Sequence, residues 1–199
     1  MQRTMRFDCL AEMFEYPWQE PAANPNPQWA LEALFPAEVA LHLKAFCYAI
    51  GDCSLDTRQE MFVRTFDLNA DRALEIGWHL FGEDYKRGEM LAYLRGELRS
   101  AGVEQGSELP DHLGTILRLL GRWGSEDDAT EFVRLLVMPA LVKLEKAMPQ
   151  NETPYPHLIR AVKETCAAEF GIAEERDAEE LHPATRARRG GSTRSRAIP

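Results

Sequence analysis

Clustered glycines, paired histidines, paired cysteines and long apolar runs are all missing from this chain of 199 residues. The glycines stand singly except for Gly190-Gly191, so no loop of backbone amides is available to cradle a phosphate. That excludes the P-loop and dinucleotide-binding classes. His42, His79, His112, His157 and His182 are isolated, without the one-turn spacing of helical zinc ligands, and no Gly-x-Ser-x-Gly nucleophile elbow occurs. Cys9, Cys47, Cys53 and Cys166 lie 38, 6 and 113 residues apart with no Cys-x-x-Cys pair. Cys9, Cys47 and Cys166 fall on apolar helix stripes and read as reduced core thiols, whereas Cys53 falls in a turn. No apolar run approaches the ~20 residues of a bilayer span, and the first residues lack the apolar centre of a signal peptide. A cytoplasmic protein with no direct membrane insertion is therefore expected. Sustained period-two alternation is also absent, which argues against strands.

What remains is ordinary for one globular domain: 45% hydrophobic and 28% charged residues. A chain this long buries roughly 70% of its unfolded surface. The net charge is −9, yet residues 183–199 hold five arginines and no acid, which leaves −14 on residues 1–182. Such an acidic body repels nucleic-acid phosphates and suits cationic partners, basic peptide segments among them. Residues 1–182 read as the folded domain, and residues 183–199 as a disordered basic tail.

Helical periodicity runs through nearly the whole domain. Met5, Cys9, Leu10, Met13 and Phe14 form one stripe over residues 4–16, ended at Tyr16-Pro17. Residues 17–27 contain four prolines and read as a loop, followed by a short helix carrying Leu31 and Leu34. Pro36 opens a helix with Val39, Leu43, Phe46, Cys47 and Ile50 inward, stopped at Gly51. Ser54 caps a helix to about Leu68, and residues 71–81 form another, broken at Gly82. Asp84 caps residues 85–101, ended by Gly102. Pro110 takes the first position of a helix with Leu113, Ile116, Leu117 and Leu120 inward. Ser125 and its following acids start a segment that Pro139 kinks or divides before Ala147. Thr153-Pro154 start the last clear helix, to about Phe170, and residues 174–182 are acidic. The expected architecture is all-α, a single-domain bundle of roughly nine or ten helices.

Several polar residues carry two readings each. His79 precedes Glu83 by one turn and Asp84 by five residues, so its ring is expected near a carboxylate. It staples one helix end to the next, grips a partner, or serves as a general base. Asp67 ends a helix, where a carboxylate opposes the dipole unless a cation answers it. Arg72, Arg87 and an external cation are the candidates. Glu108 and Asp111 flank Pro110 and read as caps. Gly88, after Arg87, suggests close helix approach, with a bare docking patch as the alternative. Tyr155-Pro156 shape the first turn of the last helix, and Phe62, Phe66, Trp78 and Phe81 read as core with some lining a groove.

Three blocks bring these residues together: Thr65-Phe66-Asp67; His79 with Gly82-Glu83 and Arg87-Gly88; and Glu108-Leu109-Pro110-Asp111-His112-Leu113. In residue type, order and spacing they resemble the nitrate reductase delta-subunit family, assembly chaperones of molybdenum enzymes. Tyr16-Pro17 and Pro154-Tyr155 extend the likeness over residues 5–170, while Gly114 departs from it, standing where the family carries proline. The resemblance implies a non-enzymatic chaperone without a cofactor of its own. Its partner would be the apo catalytic subunit of a molybdenum oxidoreductase, nitrate reductase by default, bound through its N-terminal leader during molybdenum-cofactor insertion. The peptide-binding residues expected on this basis are Phe66, Asp67, His79, Glu83, Asp84, Arg87, Glu108, Pro110 and Asp111. Asp67, His79 and the Glu83/Asp84 pair are expected to define one end of the groove. A monomer and a dimer exchanging helices are both compatible with the sequence. Two rivals are a stable structural subunit of a redox complex and a small helical hydrolase using His79 with Asp84 or Asp67.

Overall fold

A computed structural model describes residues 1–18, 28–149 and 152–172. The acidic stretch expected over residues 174–182 and the basic tail lie outside the described residues, as does most of the proline loop. The fold is an all-α single-domain bundle. Its α-helices are α1 Gln2–Glu12, α2 Gln28–Leu34, α3 Ala37–Gly51, α4 Leu55–Phe62, α5 Ile76–Phe81, α6 Tyr85–Ser100, α7 Leu113–Leu120, α8 Glu126–Phe132, α9 Met138–Ala147 and α10 Tyr155–Glu169. No described helix is long and apolar enough to cross a membrane.

Helix α7 explains the arrangement. Every residue in it except Arg118 is buried, so it needs neighbours on all sides rather than on one stripe. Helix α1 packs along it, and α10 packs on α3, α9 and α1. The buried face of α1 is Phe7, Cys9, Leu10, Ala11 and, just past its end, Phe14; Met5 is half exposed. The expected caps form at three starts: Ser54 accepts from the Thr57 amide, Asp84 from Lys86 and Ser125 from Asp128. Thr153 accepts from the Tyr155 amide at the start of α10.

Three expected helices take a different course. The segment after Ser54 widens into a π turn over Val63–Asp67, where the Leu68 amide reaches back five residues to the Val63 carbonyl. A second π turn, Val133–Val137, precedes Pro139. Proline has no amide to offer the carbonyl four residues back, and the wider turn absorbs that loss without breaking the rod. The continuous helix expected over 71–81 is absent. A 3-10 turn at Ala70–Arg72 leads into extended residues 73–75, and Glu75 forms an antiparallel bridge with His112. Its hydrogen bonds run from Ile76 N to Asp111 O at 2.9 Å and from Leu113 N to Leu74 O at 2.8 Å. Pairing with residues 111–113 satisfies the backbone that a helix would have used, so α5 begins only at Ile76.

Pro110 is consequently not the start of a helix. It is buried in the turn before α7, and His112 is the cap, its Nδ1 accepting from the Gly114 amide at 3.1 Å. The departure to glycine at position 114 has a local reason here, because a proline could not donate that bond.

Candidate functional site

Extended residues 73–75 and the segment 103–108 stand apart from the end of α1 and the π turn, and the space between them is a groove of about 980 Å³. Phe14, Tyr16, Phe62 and Phe66 line it, with Trp18 and Leu68 also on its wall. Phe62 and Phe66 are themselves buried and stack edge to face at 5.0 Å. Phe66 meets Tyr155 of α10 at 4.6 Å, and Tyr16 meets Phe62 at 5.6 Å. Ring pairs of this kind add roughly 0.5–1.5 kcal/mol each beyond area burial, which makes the floor rigid. Trp18 and Leu68 are 80% and 74% exposed, so apolar surface is offered to solvent at the mouth.

The charged lining is one-sided. Among the described residues Glu15, Asp67, Glu75, Glu104 and Glu108 are its carboxylates, against Arg118 as its one arginine. Arg118 is already paired with Glu15. Partial burial and the Glu108 carboxylate raise the Asp67 carboxyl above its ordinary value, against the opposing influence of His112. Neither expected internal partner reaches Asp67. Arg72 donates through Nε to the Ala147 carbonyl at 2.9 Å, and Arg87 is held by Asp111. Among the described residues no cation pairs with Asp67. His112 also lines the groove, and burial lowers its imidazole below the usual range, opposed by Glu108, Glu75 and Asp111. A ring that accepts from Gly114 through Nδ1 carries its proton on Nε2 and is neutral.

Of the nine residues singled out in the sequence, Phe66, Asp67 and Glu108 line the groove. The other six lie elsewhere. Among the described residues His79 pairs with no carboxylate; its Nε2 donates to the Ala73 carbonyl at 2.7 Å, pinning the extended segment from behind. Glu83 is exposed past the end of α5, and Asp84 caps α6. The end of the groove expected from Asp67, His79 and the Glu83/Asp84 pair is therefore built differently, by Asp67 with Glu108 and His112.

Arg87 and Asp111 form an ion pair rather than a cap or a docking contact. Asp111 is 0% exposed and accepts from Arg87 Nε at 2.9 Å. The guanidinium also lies 5.8 Å from the centre of the Trp78 ring. Close approach occurs at Gly77 and not at Gly88, which faces open space. A Cβ at Gly77 would lie 2.6 Å from Asp111 Oδ2. Together with the Ile76–Asp111 backbone bond, this pair holds the wall behind residues 73–75 and 110–112.

Outside the groove, His42 and His157 meet through Nδ1 atoms 3.1 Å apart, and Glu164 lies 3.4 Å from His42 Nε2. This cluster ties α3 to α10. Among the described residues no group of three or more His, Cys, Asp or Glu side chains is placed to hold a metal ion. Cys166 is fully buried, its thiol pushed up to about 12 mainly by desolvation.

The sequence reading missed Glu15, Glu75, Glu104, His112 and Arg118 as lining residues. One signal was readable: residues 104–111 hold Glu104, Glu108 and Asp111 with no lysine or arginine. Compared with known families and with curated proteins, the chain matches no family model and no curated protein.

Proposed function

We propose that this protein is a chaperone of the nitrate reductase delta-subunit type, gripping the N-terminal segment of an apo molybdoenzyme catalytic subunit in the groove. The observation that carries the reading is the groove itself: a fixed aromatic floor under five carboxylates with a single, already paired arginine. A leader helix with apolar residues on one face and arginine or lysine beside them matches both features, burying apolar surface on the rings and setting cations against Asp67 and Glu108. Nitrate reductase is the default client, and the cytoplasm, before membrane attachment or export, is where such a client is unfinished.

Binding is releasable. Ordering a leader costs about 2–5 kcal/mol of the gross interaction, and cationic contacts with exposed carboxylates weaken as salt rises. Release is what an assembly factor needs once cofactor insertion is complete.

The test is titration of synthetic peptides from the N-termini of candidate molybdoenzyme catalytic subunits into the full chain. Micromolar binding that weakens when Asp67→Asn and Glu108→Gln are combined supports the reading. Unchanged affinity in that variant removes it. The hydrolase rival rests on His79 with Asp84 or Asp67; His79 donates to the Ala73 carbonyl and Asp84 caps α6, and turnover of a substrate panel abolished by His79→Ala with the fold retained would favour it. A structural subunit would instead co-purify in fixed ratio with the finished, cofactor-loaded enzyme.

A further inference from the structure

The groove is lined by five carboxylates, Glu15, Asp67, Glu75, Glu104 and Glu108, while the same chain carries a segment of opposite sign. Residues 183–199 hold Arg186, Arg188, Arg189, Arg194 and Arg196 and no acid. We infer that this arginine segment occupies the groove when no client is bound, so that the protein competes with its own partner. The inference rests on reading the groove as a site for cationic chain segments, and it adds a regulator to that site.

Three observations support the pairing. The first is charge: Asp67 has no cationic partner among the described residues, and the acids outnumber the one arginine in the lining. The second is the mixture of acid with aromatic surface. Guanidinium groups stack on ring faces while donating to carboxylates, which lysine does poorly, and the basic residues of the tail are all arginine. Trp18, 80% exposed at the mouth, offers such a face. Of the acids that start α8, Glu126 is already paired with Arg3.

The third is reach. Tyr155, the first residue of α10, packs on the groove floor through Phe66. A helix rises 1.5 Å per residue, so the far end of α10 stands about 22 Å away. Arg186 stands fourteen positions beyond Ile172. Extended, they span at most about 50 Å, twice the return distance. Arginines 186–196 can therefore return to the groove of their own chain.

Tethering converts a weak contact into an effective one. A segment held at an effective concentration of about 1 mM, with an affinity near 100 μM when free, reduces the apparent affinity of a competitor about tenfold.

The experiment uses the synthetic peptide of residues 183–199, fluorophore-labelled, titrated at 50 mM NaCl into full-length chains and read by anisotropy. One chain is wild type. A second combines Arg186→Gln, Arg188→Gln, Arg189→Gln, Arg194→Gln and Arg196→Gln. A third adds Asp67→Asn and Glu108→Gln to the second. The second chain should bind the peptide about tenfold more tightly than wild type, and the third should lose at least fivefold of that affinity. Equal binding by the first two chains overturns the inference, as does a third chain that binds like the second, which would place the tail on other acids such as those of residues 174–180. The client reading is scored separately. Leader peptides that bind the first two chains equally leave it standing while removing self-occupancy; binding of the tail peptide without any leader does the reverse.

Discussion

Replacing Asp111 with alanine tests whether the Arg87–Asp111 pair holds the groove wall. The carboxylate is fully buried and bonded to Arg87 Nε at 2.9 Å, with a longer second contact from the other guanidinium nitrogen at 3.5 Å. Removing one partner of a buried pair costs roughly 3–5 kcal/mol, because the other charge is left without an answer. Arg87 keeps 20% of its side chain in water, which recovers part of its hydration and places the expected loss at the low end, about 3 kcal/mol. A domain of this kind has some 5–15 kcal/mol in hand, so the variant still folds. With a urea dependence of about 2 kcal/mol per molar, the unfolding midpoint should fall by about 1.5 M. Circular dichroism in urea reads it directly. The double variant Arg87→Met/Asp111→Ala removes the stranded charge and should lose less than the sum of the single changes by at least about 1 kcal/mol. A loss under about 1 kcal/mol for Asp111→Ala, or strict additivity in the double variant, refutes the role given to this pair.

Other outcomes follow from the same geometry. Gly77→Ala sets about 1 kcal/mol of helix propensity against a Cβ 2.6 Å from a carboxylate oxygen that Arg87 holds in place; the clash wins, and the urea midpoint drops by the equivalent of about 1–3 kcal/mol. Burial lowers His112, so the unfolded chain takes up its proton near pH 6.5 before the folded chain does; stability from the neutral cap is intact above pH 6.5 and is lost as pH falls below it. His157, lowered by burial, His42 and Arg160, acts in the same direction. Urea midpoints measured from pH 7.5 down to 5.5 should therefore decline, and less so in His112→Asn, which retains a capping side chain. Because the Asp67 carboxyl is raised, its charged form is disfavoured in the fold and its contribution falls as pH rises through the folded value; solvent screening keeps the effect small, so Asp67→Asn should raise the melting temperature slightly while weakening cationic peptides.

Local signals carried most of the helices. Ser54, Asp84 and Ser125 are short polar residues before apolar periodic runs, and each side chain accepts the bond its position foretells. Two of the misreadings, at residues 71–81 and at Pro110, share one cause, which is pairing between segments distant in sequence. Residues 71–81 have helical periodicity, but Glu75 meets His112 across 37 positions, and no local pattern announces that partner. The same bridge displaced the start of α7 from Pro110 to Leu113. For the candidate site, the aromatic floor was legible in part, since Phe62 and Phe66 stand one turn apart beside Asp67. The opposing wall was not. Glu75, Glu104 and Glu108 come to line one groove with Asp67 because the bridge folds two segments together, and charge density alone does not say which acids share a cavity. Asp111 read as a cap and Arg87 as a candidate partner of Asp67; the structure pairs them with each other, and a buried structural pair and a pair of docking residues look alike in a sequence.

Hydrogen exchange of the full chain, with and without an apo molybdoenzyme catalytic subunit, tests the central claim most directly. The account predicts slowed exchange in residues 62–75 and 103–118 with the unfinished subunit, and none with the cofactor-loaded enzyme. Protection confined to other segments, or equal protection by the finished enzyme, would contradict it.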